Sequence, residues 1–286
     1  MKLICDGDSW VFGCEIVDPE ISKRYDKSIH PGRYDYLEEN DNYRITKIFP
    51  TILGELMNVN EVVNLSWPAD TNDIILDRII TYVCENIINK GLSTKDLLII
   101  IGWSSPERNN FWYKDDIYSG MFRLWPQIDN FEIPNQKKFW EYYIEYLWNP
   151  EEYVPRYIMN VLQFQNFCNM NNIKWLCFNS FYQTPKKNPN DWKDLDIRNE
   201  LKKIDKHSSP YNISNKGRNV NILNYESIWC NIDDNRFYKK DLSNNTFKSF
   251  IEKNSNKPYN GWHPSPESHR LWAEELYNYI KNNKII

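Results

Sequence analysis

The run Asp96-Leu97-Leu98-Ile99-Ile100-Ile101-Gly102 constrains the fold more than any other stretch of the chain. It is strand-sized and carries no polar residue between its acid and its glycine. A strand without alternation is buried on both faces, as in the parallel sheet of an α/β protein, whereas an antiparallel strand with one wet face alternates. Three shorter runs also read as strands: Leu3-Ile4-Cys5 (a short buried one), Glu61-Val62-Val63-Asn64-Leu65 and Lys174-Trp175-Leu176-Cys177-Phe178. A fifth, weaker strand lies at either Val220 to Leu223 or Ser227 to Cys230.

Segments of helical spacing separate these runs. Ile48, Ile52, Leu53 and Leu56 share one face, as do Ile74, Ile75, Ile79, Ile80, Val83 and Ile87, with Gly91 as a stop. Arg156 to Asn171 also reads as a helix. The last helix has Ser265 as cap, Pro266 at its first position, and Leu271, Trp272, Leu276, Tyr279 and Ile280 inward. Strands alternating with helices predict a three-layer α/β/α fold on a parallel sheet of about five strands. The polar segment from Ser9 to about Asn42, with Pro19, Pro31 and Gly32, reads as loop-rich. No repeat or linker divides residues 1–286, which read as one domain with insertions at about 104–155 and 180–219. The first insertion is dense in aromatic rings and poor in periodicity; the second is polar, with one short helix near Arg198 to Ile204.

Composition narrows the partners. The 35 basic and 39 acidic residues are interspersed, for a net charge of −4, so neither a nucleic-acid-binding face nor a polybasic membrane anchor is expected. No basic leader with an apolar stretch opens the chain and no run reaches membrane length, so a cytoplasmic protein is expected. Six scattered cysteines without a CxxC pair read as reduced thiols, and neither zinc nor another cofactor is implied.

In a parallel sheet, the loops that leave the strands meet at one edge. Four such crossings carry reactive side chains: Asp6-Gly7-Asp8-Ser9, the loop Asn64 to Asp73, Gly102 to Arg108, and Asn260-Gly261-Trp262-His263. Taken singly, Ser9 can be no more than a helix cap and His263 no more than a structural histidine. A metal site from His263, His269 and Asp6 or Asp8 is the third possibility. Their six-residue spacing, however, does not place the two histidines on one helical face.

These four blocks together resemble the SGNH, or GDSL-type, hydrolases and esterases, a family with a flavodoxin-like α/β/α fold. Gly7-Asp8-Ser9 is similar to the family's nucleophile block. Val62 to Thr71 is similar to the second block, where Ala69 stands in place of a glycine whose N–H helps form the oxyanion hole. The exchange keeps the donor, and matters only if the loop needs a positive φ. In the third block, Gly102-Trp103-Ser104-Ser105 replaces Gly-x-Asn-Asp, so that Ser104 stands where an asparagine donates. In the last, Asn260-Gly261-Trp262-His263-Pro264 replaces Asp-x-x-His-Pro, so that Asn260 holds the acid position.

The resemblance implies acyl transfer without a cofactor or metal: Ser9 attacks an ester carbonyl, His263 is the base, and Ser9, Ala69 and Ser104 hold the oxyanion. The substrate implied is a small-molecule ester or an acylated glycan, with Trp10, Trp103 and Arg108 as candidate contacts. Rings of the aromatic insertion either form a satellite core or line the cleft. The departure at Asn260 leaves three alternatives open. They are a Ser9–His263 dyad, an acid from elsewhere such as Asp233, Asp234 or Glu267, or a degenerate site on a carbohydrate-binding or structural protein.

Overall fold

A computed structural model of the chain describes residues 1–24, 34–114, 119–124, 136–147, 150–181, 228–240 and 245–286. Its centre is a parallel sheet of β1 (Lys2–Gly7), β2 (Glu61–Asn64), β3 (Leu97–Trp103) and β6 (Lys174–Asn179), in the order β2-β1-β3-β6. Register is continuous, with Lys2 opposite Leu97 and Gly7 opposite Gly102. Every residue of β3 is buried, as its unbroken apolar run requires.

Parity along the strands sorts the side chains into two layers. Leu97, Ile99, Ile101 and Trp103 face one side with Ile4, Trp175 and Cys177. There they meet Ile75 and Ile79 of α5 (Asn72–Val83) and Ile158, Val161 and Phe164 of α7 (Pro150–Met170). Leu98 and Ile100 face the other side with Leu3, Cys5, Leu176 and Phe178. That layer is covered by α4 (Phe49–Leu56), α8 (Phe247–Asn254) and α9 (Pro266–Asn282). The result is the three-layer α/β/α architecture expected of alternating strands and helices.

Differences from expectation have local causes. Of the two candidates for a fifth strand, Val220 to Leu223 lies outside the described residues, whereas Ile228 and Trp229 form a helical turn. The sheet's edge is instead extended by isolated parallel bridges, Cys177 to Phe237 and Asn179 to Thr246. The segment read as loop-rich contains α2 (Pro19–Arg24) and α3 (Glu38–Lys47). The inward face of α3 is polar, so apolar spacing does not reveal it. Asn40 Nδ2 donates to Ile16 O, and Arg44 Nη1 to Phe12 O at 2.6 Å. The first insertion contains an antiparallel hairpin, β4 (Asn109–Lys114) with β5 (Ser119–Leu124), followed by α6 (Gln136–Tyr142). The short helix expected near Arg198 and most of the second insertion lie outside the described residues. Among the described residues no helix is long and apolar enough to cross a membrane.

Candidate active site

The chain runs outward from β1 to β2 and returns past it to β3, so the strand order reverses between β1 and β3. A crevice at the carboxyl ends of the strands is expected at that reversal. Ser9 stands there, opening the short helix α1 (Ser9–Phe12), and is 6% exposed. Asp8, rather than Ser9, is the cap: its Oδ1 accepts the Trp10 N–H at 3.0 Å. Two glycines let α1 close on the sheet. A Cβ on Gly7 would lie 2.3 Å from Val11 Cγ2, and one on Gly102 would lie 2.6 Å from the same methyl.

The β2 exit is laced to β1. Leu65 N–H donates to Cys5 O at 2.8 Å and Trp67 N–H to Gly7 O at 3.2 Å, which carries the Pro68-Ala69 turn toward the Ser9 loop. Ala69 has φ +61°, the left-handed region, so the loop does require the conformation that a glycine would adopt without strain. Next to it, Asp70 shares one guanidinium with Asp6. Arg78 Nε and Nη2 donate to Asp6 at 3.0 and 2.5 Å, and its Nη1 donates to Asp70 Oδ2. Both carboxylates are fully buried. Burial pushes the Asp6 carboxyl up to about 6, against the downward pull of Arg78.

At the β3 exit, the Asn72 amide clamps the backbone of Ser104, accepting from its N–H at 2.8 Å and donating to its carbonyl at 3.1 Å. The Ser104 hydroxyl hydrogen-bonds the Asp8 carboxylate and accepts from Arg108 Nη1 at 2.9 Å. The same Nη1 is 3.4 Å from Asp8 Oδ2 and from Asp70 O. Arg108 therefore faces the buried acid beside Ser9.

His263 arrives on a hairpin of β7 (Tyr259–Asn260) and β8 (His263–Pro264), in which Asn260 pairs with His263. Of its two turn residues only Gly261 has a positive φ, +74°, as in a type II′ turn. α1 packs against β8, and His263 is close enough to Asp8 to favour its ionised form. His263 Nδ1 lies 3.2 Å from Oε2 of Glu15, a side chain 2% exposed. That oxygen also accepts the N–H groups of Trp262 at 2.5 Å and His263 at 3.0 Å. Asn260 donates through Nδ2 to the Glu15 carbonyl, and the Glu15 N–H donates to Asp35 Oδ2 at 2.5 Å. Burial works upward on Glu15, but His263 and the two N–H groups outweigh it and hold its carboxyl below the ordinary value. Asp35, fully buried, is pushed up to about 6 by burial.

Other candidates lie elsewhere. Trp103 is 0% exposed: its odd parity on β3 turns the ring into the α5/α7 layer, edge-on to Tyr157 and Phe164, where no substrate reaches. Trp10 is buried among Phe181, Phe247 and Tyr259. Asp234 pairs with Lys240, Asp233 accepts the Asn235 N–H, and Glu267 accepts the Asn256 N–H, so none of the three substitute acids serves His263. His269 is fully buried and stacked on Phe49, whose N–H it accepts at Nδ1 at 3.2 Å. Burial, with His263 nearby, lowers its pKa to about 3, so it is a neutral acceptor. Among the described residues no three His, Cys, Asp or Glu side chains converge as a metal site.

Residues 31–190, more than half of the chain, match the model of a family described as a family of unknown function, DUF6071. The chain belongs to that family. The match leaves out Ser9, Glu15 and His263 and includes Asp35, Ala69, Arg78, Ser104 and Arg108. No curated protein sequence matches. Several solved structures are similar over nearly the full chain at low identity. The esterase EstA from Pseudoalteromonas sp. is 11% identical, with 98% of this chain and 97% of that one covered and a TM-score of 0.42. A member of the lipolytic G-D-S-L family from Veillonella parvula DSM 2008 is 11% identical, with 97% of each chain covered and a TM-score of 0.41. A carbohydrate esterase whose active site displays divergent catalytic and non-catalytic binding functions is 11% identical, covers 98% and 68%, and has a TM-score of 0.44. Likenesses this distant decide nothing about chemistry.

Glu15, Asp35 and Arg78 are the residues of this edge that motif reading passes over. Glu15 does carry a signal. It is a lone acid in the run Trp10-Val11-Phe12-Gly13-Cys14-Glu15-Ile16-Val17, and an acid amid apolar neighbours is buried only with a partner.

Proposed function

We propose that this protein is a serine acyl hydrolase of the SGNH type, with Ser9 as nucleophile and His263 as base. The observation that supports this reading is the packing of α1, which Ser9 opens, against β8, which His263 opens, beside the strand-order reversal. Ser9 Oγ attacks the ester carbonyl while its proton passes to His263. The proton then goes to the departing alkoxide, and water repeats the sequence on the acyl-enzyme. The N–H groups of Ser9 and Ala69 receive the oxyanion. Ser104 stands at the third donor position, with its hydroxyl between Asp8 and Arg108.

The rim supports a ring-bearing substrate, such as an acylated sugar. Tyr36 and Trp67 are about half exposed and flank Phe12 of α1, with ring centroids 5.9 and 5.6 Å from it. Trp262, next to His263, is 78% exposed. These rings by themselves favour a second reading, a carbohydrate-binding protein on the same scaffold. A fluorophosphonate probe separates the two. The hydrolase is labelled, and Ser9→Ala abolishes both labelling and hydrolysis of short-chain nitrophenyl esters, a loss of about 10⁴-fold or more. A folded wild-type protein that takes no label and cleaves no ester is a binding protein.

A further inference from the structure

We infer that Glu15 is the acid that orients His263, moved from the position Asn260 occupies to the loop that follows the nucleophile. The inference rests on the Ser9–His263 reading and deepens it. Glu15 acts through the histidine, so it is a positioning residue.

The geometry is specific to that role. A carboxylate opposite Nδ1 requires the proton on Nδ1, which leaves Nε2 as the base, and it faces the positive charge when imidazolium forms. Glu15 Oε2 is 3.2 Å from Nδ1, in a pocket that excludes water from the carboxylate. The surroundings are built around this carboxylate. Glu15 takes φ +65°, unusual for a residue with a side chain, and that backbone is fixed from both sides, by Asp35 on its N–H and by Asn260 on its carbonyl. Gly261 leaves room: a Cβ there would come within 2.4 Å of Glu15 Oε2. Asn260 has thus exchanged the acid's role for that of the acid's holder. As the Ser9 proton moves to Nε2, the Nδ1 proton stays between His263 and Glu15, and the Nε2 proton leaves with the alcohol. No co-reactant but water is needed.

The competing role is purely architectural: Glu15 would only accept the Trp262 and His263 N–H groups and close the turn. Glu15→Gln separates the two, because its amide oxygen still accepts those N–H groups but cannot hold the imidazolium. The variant is expected to melt near the wild type, and its fluorophosphonate labelling rate and kcat on a nitrophenyl ester are expected to fall about 10³- to 10⁴-fold, with KM moving only severalfold. Labelling at the wild-type rate in Glu15→Gln overturns the inference. The ¹⁵N spectrum of His263 in the wild-type protein decides independently of activity and of the variants' folding. A neutral imidazole protonated on Nδ1 supports Glu15 as its acceptor, and one protonated on Nε2 overturns it. Wild-type protein that takes no label counts against Ser9 as nucleophile, while that spectrum still decides the hold on His263.

Discussion

Two clusters of buried carboxylates flank Ser9, and they differ in the basic side chain at their centre. Behind the serine, Asp6 and Asp70 share Arg78. On the histidine side, Glu15 contacts His263 and Asp35 holds the Glu15 backbone. A guanidinium never loses its proton, so the cation of the first cluster stays charged at every working pH and ties the β1 exit to the β2 loop. On the reading proposed above, the second cluster instead holds the base that takes up the Ser9 proton and returns it to the leaving group. On that reading one group of acids holds the fold and the other serves the base, although all four side chains are buried.

That contrast breaks first at Arg78. Arg78→Met leaves two fully buried carboxylates without their shared cation, a loss of about 3–5 kcal/mol. For a chain of this size the melting temperature then falls by roughly 10 °C, and labelling of Ser9 falls with it. Glu15→Gln is expected to do the reverse, costing activity while moving the melt by only a few degrees. Thermal melts of both variants beside their labelling rates test this. An Arg78→Met protein that melts like the wild type would show that the first cluster holds nothing together.

A smaller effect separates the acids by pH. Asp35 titrates at about 6 in the folded chain and at about 3.9 when unfolded. Between those values the folded state holds a proton that the unfolded state lacks, so this group stabilises the fold at low pH. The contribution fades as pH rises through about 6. The full difference is at most about 3 kcal/mol. Asp35→Asn keeps an acceptor for the Glu15 N–H without a titrating group. Its stability relative to wild type is therefore expected to be higher at pH 7 than at pH 4.5, by urea melts at the two values. A difference that stays flat across that range removes Asp35 as a titrating partner. Glu15, whose carboxyl is held low, works with the opposite sign: its contribution is present above about 4.5 and is lost as pH falls below that.

The two clusters also mark where reading the chain succeeds. Burial on both faces leaves an unbroken apolar run, so β1, β3 and β6 are visible in Leu3 to Cys5, Leu97 to Ile101 and Trp175 to Phe178, while the half-buried edge strand β2 shows in the β-branched pair Val62-Val63. Strand exits then place the loops of Ser9, Ala69 and Ser104 at one edge. What stays hidden is polar and long-range. Arg78 lies on a helix whose apolar face explains it fully as a solvated residue, and nothing local says that two acids 72 and 8 positions earlier reach for it. Glu15 meets its histidine 248 positions away. Trp103 misleads for the opposite reason: it adjoins Ser104 in sequence, but the period of two in a strand sends neighbours to opposite faces.

The last test bears on what the first cluster holds. Ala69 adjoins Asp70, and its left-handed conformation costs an alanine about 1–2 kcal/mol relative to the ordinary helical region. The grip of Arg78 on Asp70 is the contact that can sustain that strain. Ala69→Gly relieves it and keeps the backbone N–H, while the freer unfolded glycine takes back part of the gain, so a net stabilisation of roughly 0.5 kcal/mol is expected with unchanged labelling of Ser9. Combined with Arg78→Met, the same exchange should matter less, because the strained turn has already been released. If Ala69→Gly stabilises the protein as much beside Arg78→Met as it does alone, the turn is not held by the arginine. The two clusters would then differ less than their central basic side chains imply.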